Sequence, residues 1–275
     1  MTDLILFWHR RDLRIADNMG LAAARRRSPR VVGLFCLDPG ILEQDDVAPA
    51  RVVYMMGSLK KLQERYAAAG SQLLILQGSP VQQIPQLAKV LEATAVFLNR
   101  DVEPYARDRD RAVAEALREA GIEVQAFWDQ LLHAPKQVMT NAGDPYTVFT
   151  PFWRNWKSQE KAEPAAPLAE ATGLTDSEQS QAEKAGTIAL PTAKDLGFVW
   201  ENELILPPGE QAAQERLEAF CEQAIQEYGE QRNFPAIPGT SQLSAALKFG
   251  AIGIRTVWAA AEEVYQCSRS DETRQ

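Results

Sequence analysis

Residues 31–37 have the sequence Val-Val-Gly-Leu-Phe-Cys-Leu, an uninterrupted apolar run with the length and composition of a buried β-strand. Four further apolar runs accompany it along the chain, at residues 4–8, 72–76, 95–98 and 123–127. The segments between the runs have the apolar spacing of amphipathic helices, at residues 18–27, 50–69, 81–92 and 105–120. Strands that alternate with helices predict an α/β fold with a doubly wound five-stranded parallel sheet.

The composition of the chain narrows its class. With 275 residues, of which 45% are apolar, the chain is long enough for two structural units. No apolar stretch reaches the roughly 18 residues that span a bilayer, and no signal-peptide pattern opens the chain, so we expect a cytoplasmic protein without a membrane segment. Three widely spaced cysteines, Cys36, Cys221 and Cys267, favour neither a disulfide framework nor a metal site. The two histidines, His9 and His133, have no evident metal partners, so we predict no metal ligands.

The charge pattern also restricts the possible partners. The formal net charge of −8 argues against binding a polyanion with the whole surface. Arginines are concentrated in residues 10–14 and 25–30, and we interpret these clusters as solvated faces, although a local basic groove is compatible with them.

The second half of the chain follows a different pattern. Residues 160–183 are rich in Ala, Glu, Pro, Ser and Gln, which is the composition of a surface linker. Helical spacing returns at residues 210–228 and 255–265, and a helix-start signal at Ser270 lies about one helical turn before the last residue. We therefore predict an α/β domain at residues 1–131, a linker at 132–205 and an incomplete helical domain at 206–275.

Charged side chains follow the predicted strands. Asp38 follows the second run, and Asp101 and Glu103 follow the fourth, where the carboxyl ends of parallel strands meet. We expect these carboxylates to face arginines such as Arg51 and Arg109. Either a planar heteroaromatic ligand or charge pairing that steadies the loops explains them. No Gly-x-Gly-x-x-Gly follows the first run, so a dehydrogenase-type dinucleotide site is not expected.

A run of hydroxyl side chains precedes one of the later helices. Residues 239–244 have the sequence Gly-Thr-Ser-Gln-Leu-Ser, and helically spaced apolar residues follow. Hydroxyls at a helix N-terminus bind phosphate together with the unpaired backbone amides, so we predict a phosphate-binding helix start. An ordinary N-cap with additional serines is the alternative.

Several segments of the chain together resemble DNA photolyases of the photolyase/cryptochrome family, in particular class I cyclobutane pyrimidine dimer photolyases with an 8-hydroxy-5-deazaflavin antenna. These segments are Trp8-His9-Arg10-Arg11-Asp12-Leu13-Arg14, Leu34-Phe35-Cys36-Leu37-Asp38-Pro39, Asp101-Val102-Glu103-Pro104-Tyr105, Tyr146-Thr147-Val148-Phe149-Thr150-Pro151-Phe152, Arg232-Asn233-Phe234-Pro235 and Leu247-Lys248-Phe249-Gly250. The resemblance covers nearly the whole chain and is weakest in the linker.

The resemblance implies two cofactors. The Rossmann-like α/β domain is expected to hold a deazaflavin antenna, with methenyltetrahydrofolate as the alternative pigment, and the helical domain is expected to hold FAD. The residues expected to contact the deazaflavin are Cys36, Leu37, Asp38, Arg51, Asp101, Glu103, Arg109 and Lys248. Those expected to contact FAD are Tyr228, Thr240, Ser241, Gln242, Leu243 and Ser244.

The resemblance also implies an activity, namely light-driven splitting of pyrimidine dimers in DNA by electron transfer from reduced FAD. Damaged DNA is then the partner of the full-length protein, which we expect to be a monomer without an obligate protein partner. Family members are longer, so we assign no catalytic residue here and expect this chain alone to bind antenna pigment, to bind FAD weakly and to repair nothing. The alternatives are a cryptochrome-type photoreceptor and a nucleotide-binding module without photochemistry.

Overall fold

The apolar runs form one sheet of five parallel strands, in the order β3-β2-β1-β4-β5. A computed structural model of the chain describes residues 3–268. The strands are β1 (Ile5–His9), β2 (Val31–Leu37), β3 (Leu73–Gln77), β4 (Ala95–Asn99) and β5 (Glu123–Phe127). This arrangement confirms the predicted doubly wound α/β fold, and β1 lies at its centre, between β2 and β4.

Helices cover both faces of the sheet and continue through the second half of the chain. In chain order they are α1 (Met19–Arg27), α2 (Pro39–Leu42), α3 (Pro49–Ala68), α4 (Pro80–Val90), α5 (Pro104–Glu119), α6 (Phe149–Ser158), α7 (Asp176–Lys184), α8 (Glu210–Glu222), α9 (Tyr228–Gln231), α10 (Ser244–Phe249) and α11 (Ile254–Cys267). A 3₁₀ turn, Ala224–Glu227, joins α8 to α9. No helix among residues 3–268 is long and apolar enough to cross a bilayer.

The two faces of the sheet bury separate apolar clusters. On one face Leu6, Trp8 and Val32 pack against α4 and α5, and on the other Phe7 and Phe97 pack against α1 and α3. Every residue of β1, β2 and β4 is buried, as expected for parallel strands covered on both sides. This double burial explains why the strands appear as continuous apolar runs in the sequence.

Residues 160–183 are more ordered than their composition indicates. Leu168 and Ala171 are buried against the α/β domain, and their amides donate to the carbonyls of Ile15 and Ala69 at 3.1 and 2.8 Å. Thr175 begins α7 with a capping box, so the segment also contains a helix. Most of the segment lies at the surface, as its composition indicates, but composition does not reveal this docking through backbone hydrogen bonds. Helix α6 was likewise not predicted.

The later helices pack against α3 of the α/β domain. Tyr54 on α3 is buried together with Leu217, Leu243 and Ile252. The predicted helix at residues 210–228 ends at Glu222 and gives way to the 3₁₀ turn, whereas α11 lies where a helix was predicted. The boundaries of the three predicted units stay predictions, and the helix-start signal at Ser270 lies outside the described residues.

Candidate functional site

A cavity of about 560 Å³ lies at the carboxyl ends of β1, β2 and β4. This is where the crossovers from neighbouring strands diverge, the usual ligand position in a doubly wound sheet. The structure places all eight predicted antenna residues in its wall: Cys36, Leu37, Asp38, Arg51, Asp101, Glu103, Arg109 and Lys248. Residues that are up to 212 positions apart in the sequence therefore surround one space.

The end of β2 forms the inner wall of the cavity. Asp38 is buried and begins α2 by accepting a hydrogen bond from the Gly40 amide at 3.0 Å. Its other carboxylate oxygen accepts from the Tyr105 hydroxyl at 3.0 Å and lies 3.6 Å from Nη1 of Arg109. Burial, reinforced by the Asp38 carboxylate, raises the pKa of the Cys36 thiol to about 12. The inner wall thus presents a neutral thiol beside a carboxylate whose position is fixed.

The opposite wall connects the α/β domain to α10. Glu103 pairs with Arg11 and with Lys248, whose Nζ lies 3.2 Å away, and Asp101 lies 3.5 Å from Nη1 of Arg11. Arg11 also donates from Nε to the Lys248 carbonyl at 3.2 Å. Lys248 therefore reaches the cavity from the helical side.

Arg51 differs from the other charged groups of the wall. It lies in the first turn of α3, is exposed and forms no ion pair with any residue of the described range 3–268. Arg51 lines the same cavity as the strand-end carboxylates, but the groups that pair with these carboxylates are Arg11, Lys248 and Arg109. Arg51 is thus a cation at the cavity without a protein counter-ion among these residues.

The hydroxyl run forms a loop that does not line this cavity. Helix α10 begins only at Ser244 and has six residues, and Leu243 precedes it without a side-chain capping bond. The short helix predicted after the hydroxyl run is confirmed, and the run itself is a loop in which Gln242 adopts a left-handed φ of 53°. Thr240 and Ser244 are exposed, and their hydroxyls make no hydrogen bond within residues 3–268.

The other residues of this second predicted site are also near the surface. Tyr228 on α9 is 38% exposed and packs edge-on against Phe220. The Gln242 side chain accepts a hydrogen bond from Nη1 of Arg216 at 2.6 Å, and Leu243 is buried in the helical core. Four of the six predicted FAD residues therefore carry hydroxyls, three of them exposed, at Tyr228, Thr240 and Ser244, and one half-buried, at Ser241.

A family model described as DNA photolyase matches residues 5–170, more than half of the chain. The chain belongs to the DNA photolyase family. It is 55% identical over 270 residues to the deoxyribodipyrimidine photo-lyase of Synechococcus sp. strain PCC 6301, covering 98% of this chain and 56% of that relative. The chain thus spans about half the length of this photolyase.

Solved photolyase-family structures share the fold. A class III photolyase from Agrobacterium tumefaciens superposes with a TM-score of 0.83 at 27% identity, over 100% of this chain and 56% of its own length. A cryptochrome from Synechocystis sp. PCC6803 superposes with a TM-score of 0.86 over 99% of this chain and 58% of its own length, and its 23% identity supports the fold alone.

Several wall residues of this photolyase-family chain were not predicted from its sequence. Arg10, Arg11 and Tyr105 all line the cavity. Arg10 and Arg14 belong to a cluster interpreted as a solvated face, but both side chains are buried in ion pairs with aspartates. Their position in the sequence could have identified Arg10 and Arg11, because both directly follow β1 and so lie at the carboxyl ends of the strands.

Both ring nitrogens of His9, one of the two histidines for which no metal ligation was expected, have partners within the protein. His9 is buried, with Nε2 2.7 Å from the Tyr66 hydroxyl and Nδ1 2.9 Å from the Asp12 carbonyl. Within residues 3–268, no group of three or more His, Cys, Asp or Glu side chains is arranged to hold a metal ion. His9 therefore belongs to the packing of β1 against α3.

Proposed function

We propose that the cavity at the strand ends binds 8-hydroxy-5-deazaflavin as a light-harvesting pigment. The observation that carries this proposal is that the eight residues predicted for this pigment line one cavity. Its volume of about 560 Å³ falls in the range of small-molecule sites. When bound, the pigment would absorb near-ultraviolet or blue light and pass the excitation to a flavin.

The donor set of the cavity suits this pigment. Asp38 and Glu103 supply carboxylate oxygens for ring N–H donors, and Phe35 and Phe249 supply apolar wall. Arg51 and Lys248 supply cations for a phenol-like hydroxyl, which ionises more readily beside positive charge. Methenyltetrahydrofolate is the alternative pigment, but the resemblance to deazaflavin-type photolyases favours 8-hydroxy-5-deazaflavin.

We further propose that the loop of residues 239–244 contributes to an FAD site. The exposed hydroxyls of Thr240 and Ser244, unpaired within residues 3–268, are suited to contacting the diphosphate. Tyr228, Ser241, Gln242 and Leu243 complete the part of the site that this chain provides. Bound FAD would supply the reducing electron for dimer splitting.

In this proposal the complete photolyase splits cyclobutane pyrimidine dimers in DNA by light-driven electron transfer from reduced FAD. The 275 residues supply the antenna cavity and part of the flavin site. Because they span about half of the Synechococcus photolyase, we expect them alone to bind the pigment, to bind FAD weakly and to repair no dimers. We also expect a monomer located in the cytoplasm.

Titration of the purified chain with each pigment, followed by fluorescence polarisation, tests the antenna proposal. We expect deazaflavin to bind more tightly than methenyltetrahydrofolate. Arg51→Gln should weaken deazaflavin binding, whereas Arg26→Gln, which removes an exposed arginine outside the cavity wall, should not. The antenna proposal is wrong if neither pigment binds. Repair of dimer-containing DNA under blue light by the chain alone would contradict the proposal that these 275 residues bind the pigment but repair no dimers.

A cryptochrome-type photoreceptor is the competing function. The fold does not distinguish the two, because the Synechocystis cryptochrome and the Agrobacterium photolyase superpose about equally well. The 55% identity to a protein named as a photolyase supports repair. Dimer repair assayed with the complete protein would separate the two functions.

A further inference from the structure

Two guanidinium groups in the cavity wall share one carboxylate. Nη2 of Arg10 lies 3.3 Å from Oδ2 of Asp110, and Arg109 donates to Oδ1 of Asp110 from Nη2 at 2.9 Å and from Nε at 3.2 Å. Both arginines line the cavity, whereas Asp110 is absent from the described wall. Asp110 can therefore influence a bound ligand only through the two arginines.

Trp8 supports the same pair of arginines. Its indole ring is 1% exposed, and the guanidinium carbons of Arg10 and Arg109 lie 4.6 and 5.0 Å from the ring centroid. An aromatic face attracts a cation at such distances and favours a parallel guanidinium plane. Trp8 and Asp110 together fix both the position and the orientation of the two cations.

The two arginines depend on Asp110 to different extents. Arg109 has a second counter-ion in Asp38, but Asp110 is the only ion-pair partner of Arg10 within residues 3–268. The Arg10 side chain is 8% exposed, and its Nη1 has no hydrogen-bond partner among those residues. A buried guanidinium without a counter-ion is unfavourable, so loss of Asp110 should drive Arg10 out of its present position.

We propose that Asp110 is a positioning residue for the antenna cavity, which holds Arg10 and Arg109 against Trp8 so that two fixed cations favour the ionised form of an aromatic ligand. The inference rests on the proposed function, because 8-hydroxy-5-deazaflavin has a hydroxyl that ionises like a phenol. Arg10 and Asp110 were not assigned to the site from the sequence.

Two measurements on the 275-residue chain mixed with 8-hydroxy-5-deazaflavin test the proposal. The first is the dissociation constant, and the second is the ionised fraction of the bound pigment, obtained at one fixed pH from the ratio of its long- and short-wavelength absorption bands. In Asp110→Ala we expect the dissociation constant to rise about tenfold or more and the ionised fraction to fall.

The direction of the spectral change separates positioning from simple charge. If Asp110 acted only as a negative charge, its removal would make the wall more positive and increase the ionised fraction. A positioning role predicts that the ionised fraction falls, because Arg10 and Arg109 move away from the bound pigment. Asp110→Glu, which retains the carboxylate, should restore part of both properties.

Asp108→Ala is the matched control, since Asp108 lies on the same helix in an exposed pair with Arg111, and it should change neither property. If Asp110→Ala does not fold, Asp110→Asn provides the same comparison with less change in shape. An unchanged or increased ionised fraction in a folded variant overturns the inference alone. Failure of the wild-type chain to bind the pigment overturns both the inference and the proposed function.

Discussion

The cavity at the strand ends and the loop of residues 239–244 both carry polar side chains, but the cavity is walled by several elements of the chain, whereas the loop lies at the surface. Side chains of the cavity wall, such as Asp38 and Glu103, already have partners drawn from distant parts of the chain. In the loop, Thr240 and Ser244 are exposed and without partners in the described part of the chain. The sheet thus brings polar side chains together so that they pair with each other, whereas the hydroxyls of the loop stay unpaired within residues 3–268.

The largest expected loss of stability comes from breaking the ion pairs that join α11 to the α/β domain. Arg255 on α11 is buried and pairs with Asp17 and Asp129 of the α/β domain, each at 2.6 Å. Arg255→Ala leaves buried carboxylates without this partner, so we expect the free energy of unfolding to fall by about 3–5 kcal/mol. Urea denaturation followed by circular dichroism measures this loss.

Arg111→Ala is the control for Arg255→Ala, since it removes an arginine from an exposed pair with Asp108. Its expected cost is at most about 1 kcal/mol. If both variants lose the same free energy of unfolding, the buried ion pairs of Arg255 do not hold α11 against the α/β domain.

A backbone substitution at the same junction should have the next largest effect. Gly250 ends α10 with a φ of 64°, and a Cβ at this position would lie 2.1 Å from the Arg11 carbonyl oxygen. Gly250→Ala therefore combines backbone strain of about 1–3 kcal/mol with displacement of the loop that carries Arg11. Thermal unfolding should show a loss of stability, and pigment binding should weaken because the cavity wall moves.

Gly121→Ala isolates the strain from the displacement. Gly121 has a similar φ of 76°, but nothing lies within 4 Å of the added Cβ. We expect it to cost about 1 kcal/mol and to leave pigment affinity unchanged. Equal effects of the two glycine substitutions on affinity would contradict the close approach of α10 to the cavity.

Removing Lys248 should separate stability from binding. The Lys248 pair with Glu103 is half exposed, so Lys248→Met should change the free energy of unfolding by no more than about 1 kcal/mol. Deazaflavin affinity should nevertheless fall, because a cation leaves the wall. Titration calorimetry beside thermal unfolding tests both expectations, and a stability loss without an affinity loss would assign Lys248 a purely structural role.

The fold was predictable because double burial leaves a strong sequence signal. Residues 31–37 are apolar at every position, since both faces of β2 are covered. The short helix after the hydroxyl run was predictable from its apolar spacing, whereas the left-handed φ of Gln242 has no clear signature in a single sequence. The docking of Leu168 was equally unpredictable, because it depends on a backbone hydrogen bond to Ile15 that leaves no pattern in the sequence.

The candidate site was predictable only in part. Asp38 and Asp101 were identified because carboxyl ends of parallel strands converge, a rule that needs no side-chain detail. Arg109 was predicted as a partner of these carboxylates, and it pairs with Asp38. The pairing of Arg11 with Asp101 and Glu103 was not predicted, since it depends on the path of the β1–α1 loop. Asp110 and Tyr105 act through tertiary contacts that one sequence does not encode locally.

Thiol reactivity offers a more local test of how closed the cavity is. Burial raises the pKa of the Cys36 thiol to about 12, so at pH 8 this thiol is almost entirely in its neutral, unreactive form. Cys267, near the end of α11, is exposed. Mass spectrometry after iodoacetamide treatment at pH 8 should show rapid labelling of Cys267 and slow labelling of Cys36, and comparable rates would indicate that the inner wall is open to solvent.

The smallest effect is expected at the hydroxyl loop itself. Thr240 and Ser244 form no hydrogen bond within the described residues, so Thr240→Ala and Ser244→Ala remove no intramolecular contact of their hydroxyls. The free energy of unfolding should change by no more than about 0.5 kcal/mol, which urea denaturation resolves when the two substitutions are combined. Asp38→Ala, which removes the capping acceptor of α2, should cost more, at about 1 kcal/mol. If the double substitution in the loop is the more destabilising of the two, the hydroxyls have structural partners and the loop is not an open site. If stability is unchanged while the affinity of the chain for FAD falls, the hydroxyls contact the ligand and not other protein groups.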